Sequence, residues 1–509
     1  MTTSRVLDWS TASSNRFAAM ASVLLLPAIC VLPLLLYAPL LLEPFERDEG
    51  VYATMAQGLL RGEVPYRDLF DHKPPLVFVY YAISFLAFGE GVLAPRLLAS
   101  LFWSATTLLI YRQGRILFPE TTARIAAVLF SLSSGFVLLQ ATANTEAFML
   151  LPLTASVLAL GRGLRDGSGK WFLIAGVCAA IAALTKQVAL LNLLTLGGLG
   201  LLYGLYWSRP RLKWPALAAI FGAVGVFVAA LVPFALTGAL DDFYYATVRY
   251  NVIYGGQVTL FERIENEAIA LLLFTRSGAP LVVGALLALP TLRKALGSRD
   301  ALLLGSWLLA SYAGATAGGY AFPHYYVALL PSLALIAAIG LQRAFEGGHA
   351  RPVGVLVVGV SFAMAAAFNG SIYLLDSPED RHIARYPEGH AERHIQSPEV
   401  GAYIASITSP DDKIYETGRD SQLYFYADRR PATRFFYDRP LHLEASHIAA
   451  TIAELRATPP ALIIDSGVSR DDDIWSATHP PDLIAFIQDR YEFVVRVGFT
   501  DIYQVKTTR

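Results

Sequence analysis

Glu46-Arg47-Asp48-Glu49-Gly50-Val51-Tyr52 follows, within a few residues, an apolar run that extends from Phe17 to Leu42. That run exceeds the roughly 20 residues needed to carry a helix across a bilayer. It is longer than the core of a secretory signal, and no small-residue cleavage site follows it, so it reads as an uncleaved first span. Two carboxylates next to a membrane-crossing segment are costly unless they face a cavity, a partner or a substrate. The fold and the chemistry of the chain are read outward from this junction.

Comparable apolar runs recur as far as residue 375. Of the 509 residues 55% are hydrophobic and 16% are charged, whereas a soluble protein carries about a quarter charged residues. Mean hydropathy is +0.46. Residues 376–509 are ordinary in composition. The expected architecture is therefore an all-α polytopic membrane bundle over residues 1–375, followed by a soluble domain over residues 376–509. The net charge of -1 points to no nucleic-acid partner. Cys30 and Cys178 both lie in apolar runs, so the soluble domain has no disulfide and its compartment is not read from cysteines.

Lys and Arg at span ends set orientation. Arg5 and Arg16 precede the first run, and later cationic clusters fall at Arg112 and Arg115, at Arg162, Arg165 and Lys170, at Arg209, Arg211 and Lys213, at Arg293, Lys294 and Arg299, and at Arg343 and Arg351. Taking these clusters as cytoplasmic predicts spans near 17–42, 95–111, 121–142, 146–161, 171–185, 187–207, 214–236, 268–290, 301–318, 323–341 and 353–375. About eleven spans put the N-terminus in the cytoplasm and the C-terminal domain outside it. The segment His72 to Gly89 is apolar, but no cation follows it before Arg96. It reads as a helix in the outer interface, inside a first extracytoplasmic loop over residues 43–94, where Phe78, Tyr80, Tyr81 and Phe85 suit the headgroup level.

After residue 376 the pattern changes to short β-like runs between amphipathic helices. Strands are expected at Lys413–Thr417, Ala432–Tyr437, Ala461–Asp465, Tyr491–Val497 and Asp501–Val505, and helices at Pro398–Thr408, Ala445–Ala457 and Pro481–Arg490. This predicts a small α/β domain without a phosphate-binding glycine loop or a metal-ligand spacing.

With that topology the polar residues sort to the outer face: Asp48, Glu49 and Tyr52, then His72 and Lys73, Arg96, Asn144 and Glu146, Lys186, and finally His324, Tyr325 and Tyr326. Each has a structural reading beside the functional one. Asp48 and Glu49 sit where acidic residues cap a helix. Lys73 and Arg96 are long enough to snorkel to headgroups. His324 and its tyrosines suit an aromatic belt, and Glu146 and Lys186 suit a structural pair. Together they gather carboxylates and cations on one face, as a phosphate-bearing substrate attacked by a hydroxyl would require.

The order of Asp48-Glu49 after the first span, the Lys73-Pro74-Pro75-Leu76 element and the His324 to Leu335 segment resembles the GT-C glycosyltransferases. The similarity is to the protein-mannosyltransferase-like branch and to the transferases that add aminoarabinose or galacturonic acid to lipid A and core, and it covers most of residues 17–375. The resemblance implies a polyprenyl-phosphate-linked sugar donor and an active site at the outer membrane interface. It implies that Asp48 stands at the catalytic centre, that Lys73 contacts the donor phosphate, and that His324, Tyr325 and Tyr326 are phosphate-side contacts. Val51 and His72 depart from the aminoarabinose branch, which carries an arginine and an acidic residue there.

The expected mechanism has Asp48 as general base or orienter of the acceptor hydroxyl. Lys73, His324 and Arg96, with His72 beside them, stabilise the departing phosphate. Glu49 either orients the acceptor or holds a divalent metal, and no metal ligand set is assigned. Tyr52, Glu146 and Lys186 are further candidates for the site. The acceptor class stays open among protein, glycan and lipid. A transporter or flippase of lipid-linked sugars is the rival class, but no internal repeat is visible and the polar cluster lies at one surface rather than at the midplane. A non-catalytic subunit is a second rival, against which the intact Asp48-Glu49 and Lys73 count.

Overall fold

The computed structural model describes residues 24–136, 143–206, 213–346, 351–375, 377–386, 390–466 and 480–506. The start of the expected first span, with Arg5 and Arg16, lies outside these residues, as do 137–142, Arg209 and Arg211.

Helices dominate up to residue 373. They are α1 Leu24–Leu40, α2 Arg47–Leu60, α3 Leu76–Phe88, α4 Leu93–Leu117, α5 Glu120–Ser133, α6 Thr145–Asp166, α7 Gly169–Thr185, α8 Ala189–Tyr206, α9 Lys213–Leu236, α10 Leu240–Tyr244, α11 Tyr250–Gly255, α12 Leu260–Ser277, α13 Ala279–Ala288, α14 Leu292–Thr316, α15 Leu330–Glu346 and α16 Arg351–Tyr373. Among the described residues six segments are long and apolar enough to cross a membrane: Leu93–Leu117, Thr145–Asp166, Leu217–Leu236, Ala279–Thr316, Pro323–Glu346 and Arg351–Tyr373. Their outward faces carry bare apolar side chains such as Phe221, Leu236 and Leu356, a surface that a lipid environment accepts and water does not. Between them the helices pack closely. A Cβ on Gly176 of α7 would stand 1.9 Å from the Ala219 carbonyl of α9, so only glycine permits that approach.

Local sequence explains the element ends. Asn144 caps α6 by accepting from the Thr145 amide, and Gly167 ends the helix in the left-handed region at φ 65°, which costs glycine nothing. The span expected over 268–290 is instead two helices, because Gly278 followed by Pro280 breaks the ladder between α12 and α13. The helix expected in the outer interface forms as α3, one turn after Lys73.

The later residues form α17 Pro378–Arg385, α18 His390–Ile407, α19 Gln422–Ala427, α20 Arg439–Leu443, α21 Ala445–Ala457 and α22 Pro481–Arg490, with strands β1 Lys413–Glu416, β2 Arg430–Pro431, β3 Leu462–Asp465, β4 Tyr491–Val497 and β5 Thr500–Val505. The sheet order is β2-β1-β3-β5-β4. β1 runs parallel to β2 and β3, and β5 antiparallel to β3 and β4. The strand expected at Ala432–Tyr437 does not form. Pairing stops after Pro431, and Phe435, Phe436 and Tyr437 are buried as the chain turns toward the 43–94 loop. There the Phe70 amide donates to the Arg434 carbonyl at 3.0 Å, and the Phe70 and Phe435 rings stand 5.0 Å apart.

This docking is extensive. The Phe45 amide donates to the Tyr426 hydroxyl at 2.8 Å, and Glu43 accepts from Arg385 at 2.7 Å and lies 3.1 Å from His382. Gly50 in α2 packs so tightly on α19 that an added Cβ would lie 2.4 Å from the Gln422 amide nitrogen.

Candidate active site

The junction that opens α2 divides its three carboxylates among three tasks. Glu46 is the N-cap and accepts from the amides of Asp48 at 2.9 Å and Glu49 at 3.0 Å. Glu49 closes the capping box by accepting from the Glu46 amide. The same Glu49 carboxylate is fully buried and takes a bidentate pair from Arg96, Nε at 3.1 Å and Nη2 at 2.5 Å, together with the Ala143 amide at 3.0 Å. Asp48 takes no part in the capping. Its side chain is one-third exposed, 3.7 Å from Arg47 Nε.

The sequence suggested that Arg96 contacts the donor phosphate, but the structure engages it inside the protein instead. Besides Glu49 it donates to the carbonyls of Leu40, Glu43 and Pro44. A guanidinium has five N–H groups, and all five are engaged inside the protein, with the residue 2% exposed. The physical reason is burial: a charge held away from water needs every donor matched. Glu49, tied to the same arginine and to two amides, is a structural partner rather than a free acid.

A second group of polar residues begins at Lys73. Its Nζ stands 3.1 Å from His72 Nε2, and its carbonyl accepts from the Tyr66 hydroxyl at 2.8 Å. His72 Nδ1 lies 3.2 Å from the Asp71 carboxylate. Tyr437, from the C-terminal segment, donates to that carboxylate at 3.2 Å. Asn251 in α11 holds the His72 carbonyl at 2.9 Å. The first turn of α6 adds a third group. Lys186 hydrogen-bonds Glu146 and stands 3.8 Å over the Tyr325 ring, while His324 Nε2 is 3.8 Å from the same Glu146. Tyr52 donates to Asn144 at 3.0 Å, which ties α2 to this group.

Asp48 feels these groups together. Burial alone would raise its carboxyl, but Arg47, Lys73, His324 and His72 outweigh it and hold Asp48 below the usual carboxylate range. Two residues earlier, burial and the charges of Asp48 and Glu49 push Glu46 up to about 8. Neighbouring carboxyls driven apart in this way keep one ionised and one neutral. His72 is lowered, first by burial and then by Lys73, so it is a neutral acceptor for the lysine.

Tyr326 leaves the cluster that the sequence assigned to it. Its hydroxyl donates to Glu267 of α12 at 2.6 Å, alongside Tyr312 at 2.6 Å. Residues 323–329 form a 3-10 helix, which turns about 120° per residue. Tyr325 and Tyr326 therefore face different neighbours.

Sequence reading missed what the tertiary structure adds here. A stack of rings runs Tyr250, Tyr254, Tyr320, Phe322, His324, with successive planes within 24° of one another. Arg439 from α20 covers Tyr254 and donates to the Tyr320 hydroxyl at 3.0 Å. No spacing in the sequence links positions 254, 320 and 439. Among the described residues no group of three or more His, Cys, Asp or Glu side chains could hold a metal ion.

Residues 72–234 match a family model described as dolichyl-phosphate-mannose-protein mannosyltransferase. No curated protein matches the chain in sequence. Among solved structures, ArnT from Cupriavidus metallidurans in the apo state superposes with a TM-score of 0.60 at 15% identity, covering 96% of this chain and 98% of that one. The chain has the GT-C fold. The same ArnT bound to undecaprenyl phosphate gives 0.57 at 17% identity over 95% and 98%. Archaeal oligosaccharyltransferase AglB from Archaeoglobus fulgidus, in complex with an inhibitory peptide and a dolichol-phosphate, gives 0.51 at 13% over 96% and 75%. Both ArnT superpositions cover at least 95% of this chain.

Proposed function

We propose that this chain is a membrane glycosyltransferase that moves a sugar from a polyprenyl-phosphate-linked donor to an acceptor hydroxyl at the extracytoplasmic membrane face. The observation that carries the reading is the meeting of an ionised, partly exposed Asp48 with the cations and imidazoles of Lys73, His72 and His324, at the ends of apolar helices. The lipid phosphates named in the ArnT and AglB complexes support it. In topology we propose about eleven spans, formed by α1, α4 to α9, the broken α12–α13 unit, α14, α15 and α16. The N-terminus is then cytoplasmic, and residues 376–509 form an extracytoplasmic α/β domain.

In the proposed step Asp48 accepts the proton of the acceptor hydroxyl as its oxygen attacks the anomeric carbon. The bond from that carbon to the phosphate oxygen breaks, and the phosphate leaves with the electron pair. Lys73 neutralises the departing charge, with the His324 and Tyr325 group beside it. A single displacement inverts the anomeric centre. A phosphate leaves without a general acid, so the neutral His72 is needed only to aim Lys73. The acceptor is a glycan, a lipid or a protein.

A positioned base contributes about 10²–10⁴-fold, so Asp48→Asn loses transfer by that factor while undecaprenyl phosphate still binds. Lys73→Ala weakens that binding. The assay is release of polyprenyl phosphate by the full chain in detergent across a panel of polyprenyl-phosphate sugars. Near-normal transfer by Asp48→Asn would remove it from the reaction, and absence of release with every donor would favour a lipid-linked-sugar transporter.

A further inference from the structure

Beside the cations already assigned, one stands apart. Among the described residues Arg439 has a single hydrogen bond, to the Tyr320 hydroxyl, and no ion pair. The nearby arginines differ: Arg434 pairs with Asp242 at 2.9 Å, and Arg419 pairs with Asp438 at 2.9 Å. Arg439 is half-buried, with its guanidinium 5.2 Å from the Tyr254 ring centroid and 5.8 Å from that of Tyr320. A guanidinium carries five donors, so most of them are left without a protein acceptor. Such a group, half-buried over two aromatic faces, suits a planar oxyanion.

The site it faces differs from that of Lys73. His72 touches Lys73 on one side and packs on Tyr254 at 5.4 Å on the other, and Arg439 covers Tyr254. Two rings therefore stand between the two cations. Beyond Tyr320 the ring stack continues through Phe322, 36% exposed, toward His324. An exposed aromatic face is a surface on which the apolar side of a sugar packs.

We propose that Arg439 recognises an anionic group, a carboxylate or a phosphate, carried by the transferred sugar or by the acceptor, while the ring stack from Tyr254 to Phe322 supports the sugar face. The C-terminal segment then supplies specificity. This rests on the transferase reading and deepens it by naming the chemistry of the substrate.

The test uses the full chain in detergent with three probes: undecaprenyl phosphate, inorganic phosphate and D-glucuronate, with D-glucose as the neutral control. Binding is read by saturation-transfer NMR for the sugars and by competition for phosphate, all in the Lys73→Ala background so that the lysine does not contribute. The expected result is binding of phosphate or glucuronate but not glucose, weakened about tenfold or more by Arg439→Gln. Loss confined to glucuronate identifies an acidic sugar, and loss confined to phosphate identifies a phosphorylated acceptor. Tyr320→Phe, which removes the anchoring hydroxyl and keeps the charge, retains most of the affinity and controls for folding. Equal binding by Arg439→Gln and its parent, or no binding of either anion, overturns the proposal. Undecaprenyl phosphate, measured with the lysine intact, reports separately: if the otherwise wild-type chain does not bind it, the transferase reading fails, whatever Arg439 does.

Discussion

Replacing Arg96 with Met separates the architecture of the site from its chemistry. The substitution keeps much of the side-chain volume and removes the charge. It leaves the Glu49 carboxylate, 0% exposed, without the guanidinium that lies 2.5 Å away. Breaking one partner out of a buried ion pair costs about 3–5 kcal/mol. The carbonyls of Leu40, Glu43 and Pro44 also lose donors, each worth roughly 1–3 kcal/mol when left unsatisfied. These terms overlap, so the first is a floor, and it is already a large share of the roughly 5–15 kcal/mol that holds a domain folded. The expected result in detergent is a marked fall in the apparent melting temperature of Arg96→Met, with Glu49→Gln falling similarly because it strands the arginine. Asp48→Asn, measured beside them, melts like the parent yet fails to transfer. The reasoning would be refuted by an Arg96→Met protein that melts normally but binds undecaprenyl phosphate tenfold more weakly, since that is the behaviour of a phosphate ligand.

Three further predictions follow from particular contacts. Arg47 helps hold Asp48 below the usual carboxylate range; a base works only when ionised, so activity is present above its pKa and lost below it. Arg47→Gln should therefore move the acid limb of the kcat/KM profile to higher pH, and an unmoved limb would mean that another group titrates. Gly50→Ala puts a Cβ 2.4 Å from the backbone of Gln422, an overpacking worth about 1–3 kcal/mol. Limited proteolysis should then release the C-terminal segment faster than from the parent, and an unchanged cleavage rate would show that α19 yields without loosening. Tyr326→Phe removes a hydroxyl that reaches Glu267 and should leave undecaprenyl phosphate affinity untouched; a tenfold loss would return Tyr326 to the donor site.

The acidic junction illustrates how far residue patterns reach. That Asp48 and Glu49 are candidates was readable from an acidic pair beside an apolar run. Their different fates were not, because the partner that decides Glu49 is Arg96, 47 residues away in sequence. The late aromatic cluster behaves alike: one residue of rotation in a 3-10 turn sends Tyr326 to α12 while Tyr325 stays under Lys186. Glu146 and Lys186 were candidates for pairing and do pair, with His324 close by, because both sit at helix ends where charged groups can gather.

Amphipathic period, apolar run length and turn residues are local properties, so the sequence by itself determined the apolar helical bundle, the helix α3 and most strands of the C-terminal segment. Docking is not local. Only the tertiary structure decided that residues 432–437 leave the sheet to pack on the 43–94 loop, that Arg96 is consumed by burial, and that Arg439 arrives over Tyr254. Each depends on desolvation and on contacts between residues dozens to hundreds of positions apart, which no one-dimensional pattern encodes.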